Sequence, residues 1–200
     1  MIRFENITKS FGKLEVLKNI NLQFSMGQSV AIMGPNGSGK TTLIKSLLGM
    51  VVPENGTIYF DNQPIGGAFE YRSDIGYMPQ IGQYPPNLRI SQLIDMMVDI
   101  RNGHSKPLDE DIIEAFRLKD IYTKPLGTLS GGTKQKVSAA LAFLFDPKVL
   151  ILDEPTAGLD PLSSELLKNK IQLEIAKGKL LLITSHILSD LEELASHIVY

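Results

Sequence analysis

The sequence predicts an α/β fold built on a buried parallel β-sheet. Residues 149–152 and 180–183 are continuous apolar runs, which are typical of parallel strands covered on both faces. Leucines at helical spacing between the two runs supply the crossover helix of a βαβ unit. A third short apolar strand, residues 28–33, leads into a glycine-rich run and then into a helical pattern that begins at Lys40. These observations indicate the α/β class.

Half-buried strands are expected in the N-terminal part of the chain. Residues 2–5 and 17–24 alternate between polar and apolar side chains, as strands with one covered face do. A further strand is predicted at residues 56–60, with a turn directly after it at Asp61-Asn62. Gly49 is expected to end the helix that follows the glycine-rich run.

The middle of the chain, about residues 83–135, has a helical character. Helices are predicted near residues 91–101, with Ser91 as the N-cap, and at residues 109–118. We interpret this segment as a helical lobe inserted into a single domain that comprises the whole chain. The core and the β lobe then comprise residues 1–82 and 136–200.

Length and composition exclude several classes of site and partner. Two hundred residues can bury the core of one domain, and the lack of cysteine excludes a disulfide, a thiolate metal site and a cysteine nucleophile. The net charge of -2 gives no broad basic face, so no nucleic-acid partner is expected. No apolar run approaches the ~20 residues that span a bilayer, so membrane association is expected to come through a partner. Residues 198–200 have the pattern of a strand just beginning, which predicts a truncated C-terminus.

Residues 34–41 match the phosphate-loop (Walker A) pattern G-x-x-x-x-G-K-[ST]. Glycines let the backbone curl so that successive N–H groups point at phosphate oxygens, and the positive end of the following helix adds to the attraction. Lys40 is expected to reach the β- and γ-phosphates, and the Thr41 hydroxyl to ligate Mg²⁺. A chance glycine-rich turn is the alternative, which the preceding strand and following helix disfavour. The residues expected to bind ATP are Gly34, Pro35, Asn36, Gly37, Ser38, Gly39, Lys40, Thr41 and Thr42.

Two carboxylates, Asp153 and Glu154, directly follow the apolar run at residues 149–152. Carboxylates at the end of a buried strand need a cationic or hydrogen-bonding partner, and Mg²⁺ beside the phosphates would supply one. Asp153 is therefore predicted on the metal side, through water, and Glu154 as the catalytic base that polarises an attacking water. A surface pair that caps the strand is the alternative.

His186 follows the apolar run at residues 180–183, at the end of a strand where α/β sheets place their ligands. A lone histidine in such a position is usually structural. Because its strand is expected to neighbour the strand before Asp153, we predict that His186 contacts the γ-phosphate and takes part in catalysis. His104 and His197 are interpreted as surface residues.

Residues 129–133, Leu-Ser-Gly-Gly-Thr, stand before a helix expected to start near Lys134 and resemble the LSGGQ signature of ABC ATPases. Phe11 is similar to the aromatic residue that stacks on adenine in this family, Gln80 to the Q-loop residue, and residues 157–160 to the D-loop. The motifs occur in the family's order over nearly the whole chain. The resemblance implies a P-loop NTPase (RecA-like) core with an N-terminal antiparallel β lobe and an inserted helical lobe. It also implies that Gln80 serves both Mg²⁺ and catalysis.

The family pattern implies a second ABC ATPase subunit, packed head to tail. Ser130, Gly131 and Gly132 of one subunit would then contact the γ-phosphate held by Lys40 of the other, as a helix N-terminus can. ATP would hold the two subunits together, and hydrolysis would release them. The sequence departs from the family pattern at Thr133, where glutamine is usual, and in the D-loop, which reads Ala-Gly-Leu-Asp where Ser-Ala-Leu-Asp is commoner.

The resemblance favours the motor subunit of a transporter, attached to integral membrane permease subunits on the cytoplasmic side of the cell membrane. A soluble ABC ATPase that acts on ribosomes or DNA is the alternative, but such proteins usually carry two cassettes or a long coiled-coil insertion. A cassette that binds ATP without turnover is a third, disfavoured because Glu154 and His186 are both present. Residues 75–80 and 129–136 are similar to the ATPase of the copper-processing system that matures nitrous oxide reductase.

The helical lobe is expected to transmit closure to the membrane subunits. Leu93, Ile94 and Met97 are interpreted mainly as core of this lobe, whereas Tyr84 and Met96 are expected to be exposed and to contact a short helix of the partner.

Overall fold

Two β-sheets and five α-helices make up the part of the chain that the computed structural model describes, residues 1–101, 107–185 and 193–200. The strands are β1 (Ile2–Phe11), β2 (Leu14–Phe24), β3 (Ser29–Ile32), β4 (Asn55–Phe60), β5 (Gln63–Pro64), β6 (Ile75–Met78), β7 (Val149–Asp153), β8 (Leu180–Thr184) and β9 (His197–Val199). The helices are α1 (Lys40–Leu47), α2 (Ile90–Ile100), α3 (Asp111–Ala115), α4 (Gly131–Phe143) and α5 (Pro161–Ala176). Short 3-10 turns occupy Glu70–Asp74, Leu118–Ile121 and Leu126–Thr128.

The five-stranded sheet is parallel and has the order β6-β7-β8-β3-β9. Asp153 and Ile32 both lie opposite Thr184 in the register, so β7, β8 and β3 end at the same edge of the sheet. This edge is the carboxyl end, where open α/β sheets bind their ligands. The prediction that the two apolar strands, β7 and β8, are neighbours in the sheet is confirmed. His186 lies outside the described residues.

Alternate side chains of the parallel sheet enter two different cores, as the period of a strand requires. Val149 and Ile151 pack in the core that contains α1 and the antiparallel sheet. Leu150 and Leu152 pack in the core that contains α2 to α5. Both faces are therefore covered, which explains why these strands are apolar along their whole length.

The predicted antiparallel β lobe is confirmed as a four-stranded sheet with the order β2-β1-β4-β5. Its first strand continues to Phe11, well past the four residues whose alternation predicted it. Asp61 and Asn62 both have positive φ, 46° and 63°, which a two-residue type I′ hairpin turn requires. The turn predicted after residues 56–60 is therefore present, between β4 and β5.

Both helices predicted in the middle of the chain are present, but the N-cap of the first and the length of the second were wrong. Ser91 is not an N-cap: it lies inside α2, whose N-cap is Arg89, and the Arg89 N–H donates to Gln92 Oε1 at 3.0 Å. The helix expected at residues 109–118 is only α3, because Arg117 adopts a left-handed conformation, with φ 51°, that ends regular helix. By contrast, Gly49 ends α1 as predicted, with φ 70° and its N–H donating to the Ser46 carbonyl.

Helix α4 begins at Gly131, earlier than the start expected near Lys134, because Ser130 acts as its N-cap. The expected boundary between the helical lobe and the core, between residues 135 and 136, therefore falls inside this helix, and the division into lobes stays a prediction.

At the C-terminal end of the chain, β9 forms the strand expected there and pairs in parallel with β3. Among the residues with described structure, no helix is long and apolar enough to cross a membrane.

Candidate nucleotide-binding site

The loop between β3 and α1 needs glycine at two of its positions. Gly34 has φ 148°, and a Cβ atom there would lie 2.6 Å from Ser38 Oγ. Gly39, the N-cap of α1, has φ 98°, and a Cβ atom there would lie 3.0 Å from the Val16 carbonyl oxygen. The loop can therefore curl under the first turn of α1 only without these side chains.

Lys40 lies at the first position of α1 and folds back over the loop. Its Nζ donates to the carbonyl oxygens of Gly34 at 2.6 Å and Pro35 at 3.1 Å. Gly34 and Pro35 thus join the site through backbone oxygens, while Thr41 and Thr42 follow in the first helical turn. The ammonium group, the helix N-terminus and the loop amides give one small region a positive potential.

The carboxyl end of β7 is held by Thr184 of β8. Asp153 is only 6% exposed, and its Oδ1 accepts a hydrogen bond from Thr184 Oγ1 at 2.5 Å. The Glu154 N–H donates to the Thr184 carbonyl oxygen at 3.0 Å, and Glu154 has φ 55°. Left-handed backbone is uncommon for a glutamate, and here it turns the chain sharply at the end of the strand. Burial, followed by the negative charge of Asp153, raises the pKa of Tyr77 in β6 to about 12.

The phosphate loop and the two carboxylates line one open cleft of about 270 Å³. The lining residues that the sequence predicted are Asn36, Gly37, Ser38, Gly39, Lys40, Thr41, Thr42, Gln80, Asp153 and Glu154. Leu14 and Val16 complete the lining, and the sequence analysis missed both. It also missed Thr184, although a polar residue at the end of an apolar strand was a signal that could have found it.

The oxygen donors of this cleft fit Mg²⁺. Thr41, Gln80 and Asp153 offer a hydroxyl, an amide carbonyl and a carboxylate. Magnesium usually binds one or two carboxylates together with substrate phosphates and several waters, so it needs no larger cluster of charged ligands. Within the described residues there is no group of three or more His, Cys, Asp and Glu side chains that could hold a metal.

Several predicted site residues do not line this cleft. Phe11 ends β1 with a side chain that is 51% exposed, and Lys9 Nζ lies 5.5 Å from its ring centroid. Ser130, Gly131 and Gly132 lie at the N-terminus of α4 and are also absent from its lining. His186 and His104 lie outside the described residues, and His197 is exposed, in agreement with its interpretation as a surface residue.

The start of α4 packs against the loop that follows Glu154. A Cβ atom on Gly132 would lie 2.7 Å from the Gly158 carbonyl oxygen, so the close approach requires glycine at residue 132. Lys136 Nζ lies 2.8 Å from Asp160 Oδ2, and this contact is the main reason that the pKa of Asp160 is well below its usual range. The signature-like and D-loop-like segments of one chain are therefore in direct contact.

A second cleft, of about 410 Å³, lies beside the helical segment and is lined by Tyr77, Pro79, Gln83, Tyr84, Met96, Met97 and Arg101 among others. The expected exposure of Tyr84 was wrong, since its side chain is half-buried and its Oη lies 2.6 Å from Ser138 Oγ. Burial raises the pKa of Tyr84. Met96 is 38% exposed, as predicted, while Leu93 is buried in the core.

The family model described as ABC transporter matches residues 17–157 of this chain. The chain is 34% identical over 200 residues to the lantibiotic transport ATP-binding protein SrtF of Streptococcus pyogenes, and the match covers 99% of this chain and 85% of that protein. It is 31% identical over 201 residues to Nod factor export ATP-binding protein I of Burkholderia orbicola (strain AU 1054), covering 98% of this chain. The chain spans 66% of the length of this second relative.

Solved structures share the fold over the full length of the chain. The ATP binding subunit of an ABC transporter has a TM-score of 0.90 and 27% identity, with 100% of this chain and 86% of that chain covered. A dimeric ATP-binding cassette in a post-hydrolysis state, bound to ADP and Pi, has a TM-score of 0.87 and 26% identity, with 100% and 94% covered. The predicted fold class is confirmed by these similarities.

Proposed function

Because the chain belongs to the ABC transporter family as an ATP-binding domain, we propose that it is the ATP-hydrolysing motor subunit of a transporter. Domains of this family hydrolyse ATP, and one similar structure is a post-hydrolysis state. The observation that carries the proposal is the cleft in which the phosphate loop faces Asp153 and Glu154.

In the proposed mechanism, the phosphates of ATP bind the loop amides. Lys40, whose ammonium group already lies over the loop, then donates to phosphate oxygens in place of the loop carbonyls. Glu154 accepts a proton from the water that attacks the γ-phosphate, and the bond between the β- and γ-phosphates breaks. Thr184 holds Glu154 through a hydrogen bond to its backbone N–H and Asp153 through a hydrogen bond to its carboxylate. When bound at Thr41, Gln80 and Asp153, Mg²⁺ supplies charge neutralisation at the phosphate oxygens.

Two further roles complete the proposed site. The exposed ring of Phe11 is available to stack on the adenine base, and the apolar side chains of Leu14 and Val16 offer a surface beside it. His186 is proposed to contact the γ-phosphate, since the strand that precedes it in the chain, β8, lies between β7 and β3, the strands that precede the carboxylates and the phosphate loop.

A head-to-tail dimer of two such chains is proposed to form the complete site. The N-terminus of α4, with Ser130 as its N-cap, is a suitable anion site, but its residues do not line the cleft of their own chain. They would instead contact the nucleotide held by a second chain. One of the similar structures is a dimer with bound ADP and Pi, which supports this arrangement.

Attachment to a membrane on its cytoplasmic side is proposed to occur through permease subunits that contact the second cleft. Its methionines, Met96 and Met97, suit an adaptable apolar contact with a short helix.

The relatives are named for Nod factor export and lantibiotic transport, so we propose that this chain belongs to an exporter. Copper processing stays a hypothesis, and no observation favours action on ribosomes or DNA.

The test is to change Glu154 to Gln and to measure ATP turnover and ATP binding separately. The variant keeps the size and hydrogen-bonding capacity of the side chain but removes the base, and general bases contribute typically 10²–10⁴-fold to rate. We therefore expect turnover to fall by about 100-fold or more while ATP still binds. Glu165→Gln, on the exposed side of α5, is the matched control and should keep full turnover. Near-normal hydrolysis by Glu154→Gln would contradict the proposed mechanism.

A further inference from the structure

The first turn of α4 contains a pair of hydroxyl groups, and the proposed function gives only one of them a role. The Thr133 N–H donates to Ser130 Oγ at 3.2 Å, and Ser130 Oγ lies 2.8 Å from Thr133 Oγ1. Thr133 is the position at which this chain departs from the LSGGQ pattern. The variant residue therefore touches the hydroxyl group that is proposed to contact phosphate.

Only one of the two hydroxyl protons is used in the hydrogen bond between Ser130 and Thr133, so the other is available to a further acceptor. A hydroxyl group has one proton to donate and two lone pairs that accept. If the Thr133 hydroxyl donates to Ser130, the Ser130 oxygen accepts two bonds and its own proton must point away from the pair. If Ser130 donates instead, the Thr133 proton is left over. In both arrangements the pair presents one outward O–H group beside the helix N-terminus.

The surroundings favour Ser130 as the outward donor. Its side chain is exposed, whereas Thr133 is half-buried. The N-terminal amides and the positive end of α4 attract an anion to the same place. We propose that Thr133 is a positioning residue: its hydroxyl donates to Ser130 and so directs the Ser130 proton towards a phosphate oxygen of the nucleotide held by a second copy of the chain. This inference rests on the head-to-tail dimer of the proposed function.

Capping of the helix does not require the Thr133 hydroxyl. The N-cap bond uses the backbone N–H of residue 133, which any residue except proline supplies. Threonine differs from the common glutamine because its hydroxyl is on Cβ, one torsion from the backbone, and the branched Cβ restricts that torsion. A glutamine amide lies two carbons further out with more freedom. The side-chain contact is therefore a feature of this chain beyond the cap.

The test measures ATP-dependent dimerisation of the Glu154→Gln chain by analytical ultracentrifugation, with further changes at residue 133. Thr133→Val keeps the branched shape and the N–H but removes the hydroxyl. A loss of about threefold per site, typical of one neutral hydrogen bond, gives a dimer Kd about tenfold higher because a symmetric dimer contains two such sites. Thr133→Ser should dimerise within about twofold of the parent. Thr57→Val, the same change in β4, should have no effect.

Two controls separate positioning from a structural role. ATP binding to the dilute monomer and the thermal midpoint should be unchanged by Thr133→Val, since Lys40 and the N-cap bond remain. In a Ser130→Ala background, Thr133→Val should cause no further loss of dimerisation, because the hydroxyl acts through Ser130. Fully additive losses, or a loss of dimerisation that follows a lower thermal midpoint, would overturn the inference.

The outcomes also separate this inference from the function on which it rests. If the Glu154→Gln chain with Thr133 intact stays monomeric with ATP at every concentration, the proposed dimer fails and the role of Thr133 fails with it. If that chain dimerises and Thr133→Val dimerises equally well, only the role of Thr133 is overturned.

Discussion

Single residues at the edge of the parallel sheet are held by contacts from outside their own segments. Thr184 of β8 binds both Asp153 and the backbone of Glu154, and the Lys40 ammonium group binds carbonyls of the loop before it. Because buried or strained groups keep one geometry when several bonds hold them, the site is largely formed before substrate arrives.

The change Lys40→Ala tests the phosphate loop at this scale. It removes a charge-assisted contact worth about 1.5–3 kcal/mol, so the affinity for Mg-ATP should fall at least about tenfold. Calorimetric or fluorescence titration of the isolated chain measures this. Lys45→Ala, on the exposed face of the same helix, is the control and should bind normally. An unchanged titration curve for Lys40→Ala would show that the loop is not the site.

At the scale of elements, an ionic cluster around the buried residues Lys170 and Glu174 joins α3, α5 and the residue before β8. Lys170 of α5 is 4% exposed and contacts Asp109 at 2.5 Å, Asp111 at 2.7 Å and Glu174 at 3.0 Å. Glu174 is fully buried and also contacts Lys177 and Lys179. Burial alone would lower the pKa of Lys170 and raise that of Glu174. Hydrogen bonds between the two residues and to their other partners outweigh burial, so the pKa of Lys170 is raised and that of Glu174 is lowered. The cluster anchors the start of the short helix α3 to the core.

The change Lys170→Met should lower the free energy of unfolding by up to about 3–5 kcal/mol, because it removes the cation that contacts Asp109, whose side chain is only 12% exposed, while Glu174 keeps Lys177 and Lys179. Denaturant unfolding measures this loss. Lys148→Met is the matched control, because Lys148 is 55% exposed and its ion pair with Asp74 is worth at most about 1 kcal/mol. Equal effects of the two changes would show that the buried cluster does not anchor the elements.

Features that depend on residues close together in the sequence could be predicted, whereas features that depend on distant residues could not. The runs that became β7 and β8 are apolar along their length because both faces are covered, and the sequence alone reveals that. The curled loop between β3 and α1 was also predictable, since its glycines and Lys40 are contiguous. The half-burial of Tyr84 was not, because it depends on Ser138 of α4, which is distant in the chain. The short length of α3 depends on the backbone conformation of Arg117, which no pattern in its neighbours marks.

At the scale of the whole molecule, the two groups of residues proposed to form the site do not line one cleft within a single chain. The cleft contains Lys40 and Glu154, while Ser130 caps α4 outside its lining. The contact between Gly132 and Gly158 nevertheless links the start of α4 to the loop after Glu154. In the proposed dimer, a change at one nucleotide would therefore reach the other through these residues.

Mixing two inactive chains tests whether sites are shared. A Lys40→Ala chain paired with a Ser130→Arg chain has one site that contains both lesions and one that contains neither. We expect partial recovery of ATPase activity relative to either variant alone. Pairing Lys40→Ala with a chain that carries both changes leaves no intact site and should give no recovery. Full activity per chain at high dilution of the unmutated protein would argue for an independent monomer.

Met96→Asp tests the proposed contact with membrane subunits. A charge in the second cleft should weaken co-purification with the permease at least about tenfold, as the loss of a central apolar contact does, and leave ATP binding by the isolated chain unchanged. Val98→Asp, on the same helix but outside the lining of that cleft, is the control. Recovery of the assembled complex by Met96→Asp at full yield would exclude this surface.

The strand order of the parallel sheet also affects how the protein is made. The strand β3 lies between β8 and β9, and Val30 pairs with Leu182, so this strand leaves the ribosome long before either neighbour exists. At about 5–20 residues per second, translation of the intervening segment takes roughly 8–30 s. During that interval an apolar strand and its phosphate loop are synthesised without their sheet. Newly made chains should therefore depend on chaperones, and ATP should protect them only after β8 has been released from the ribosome.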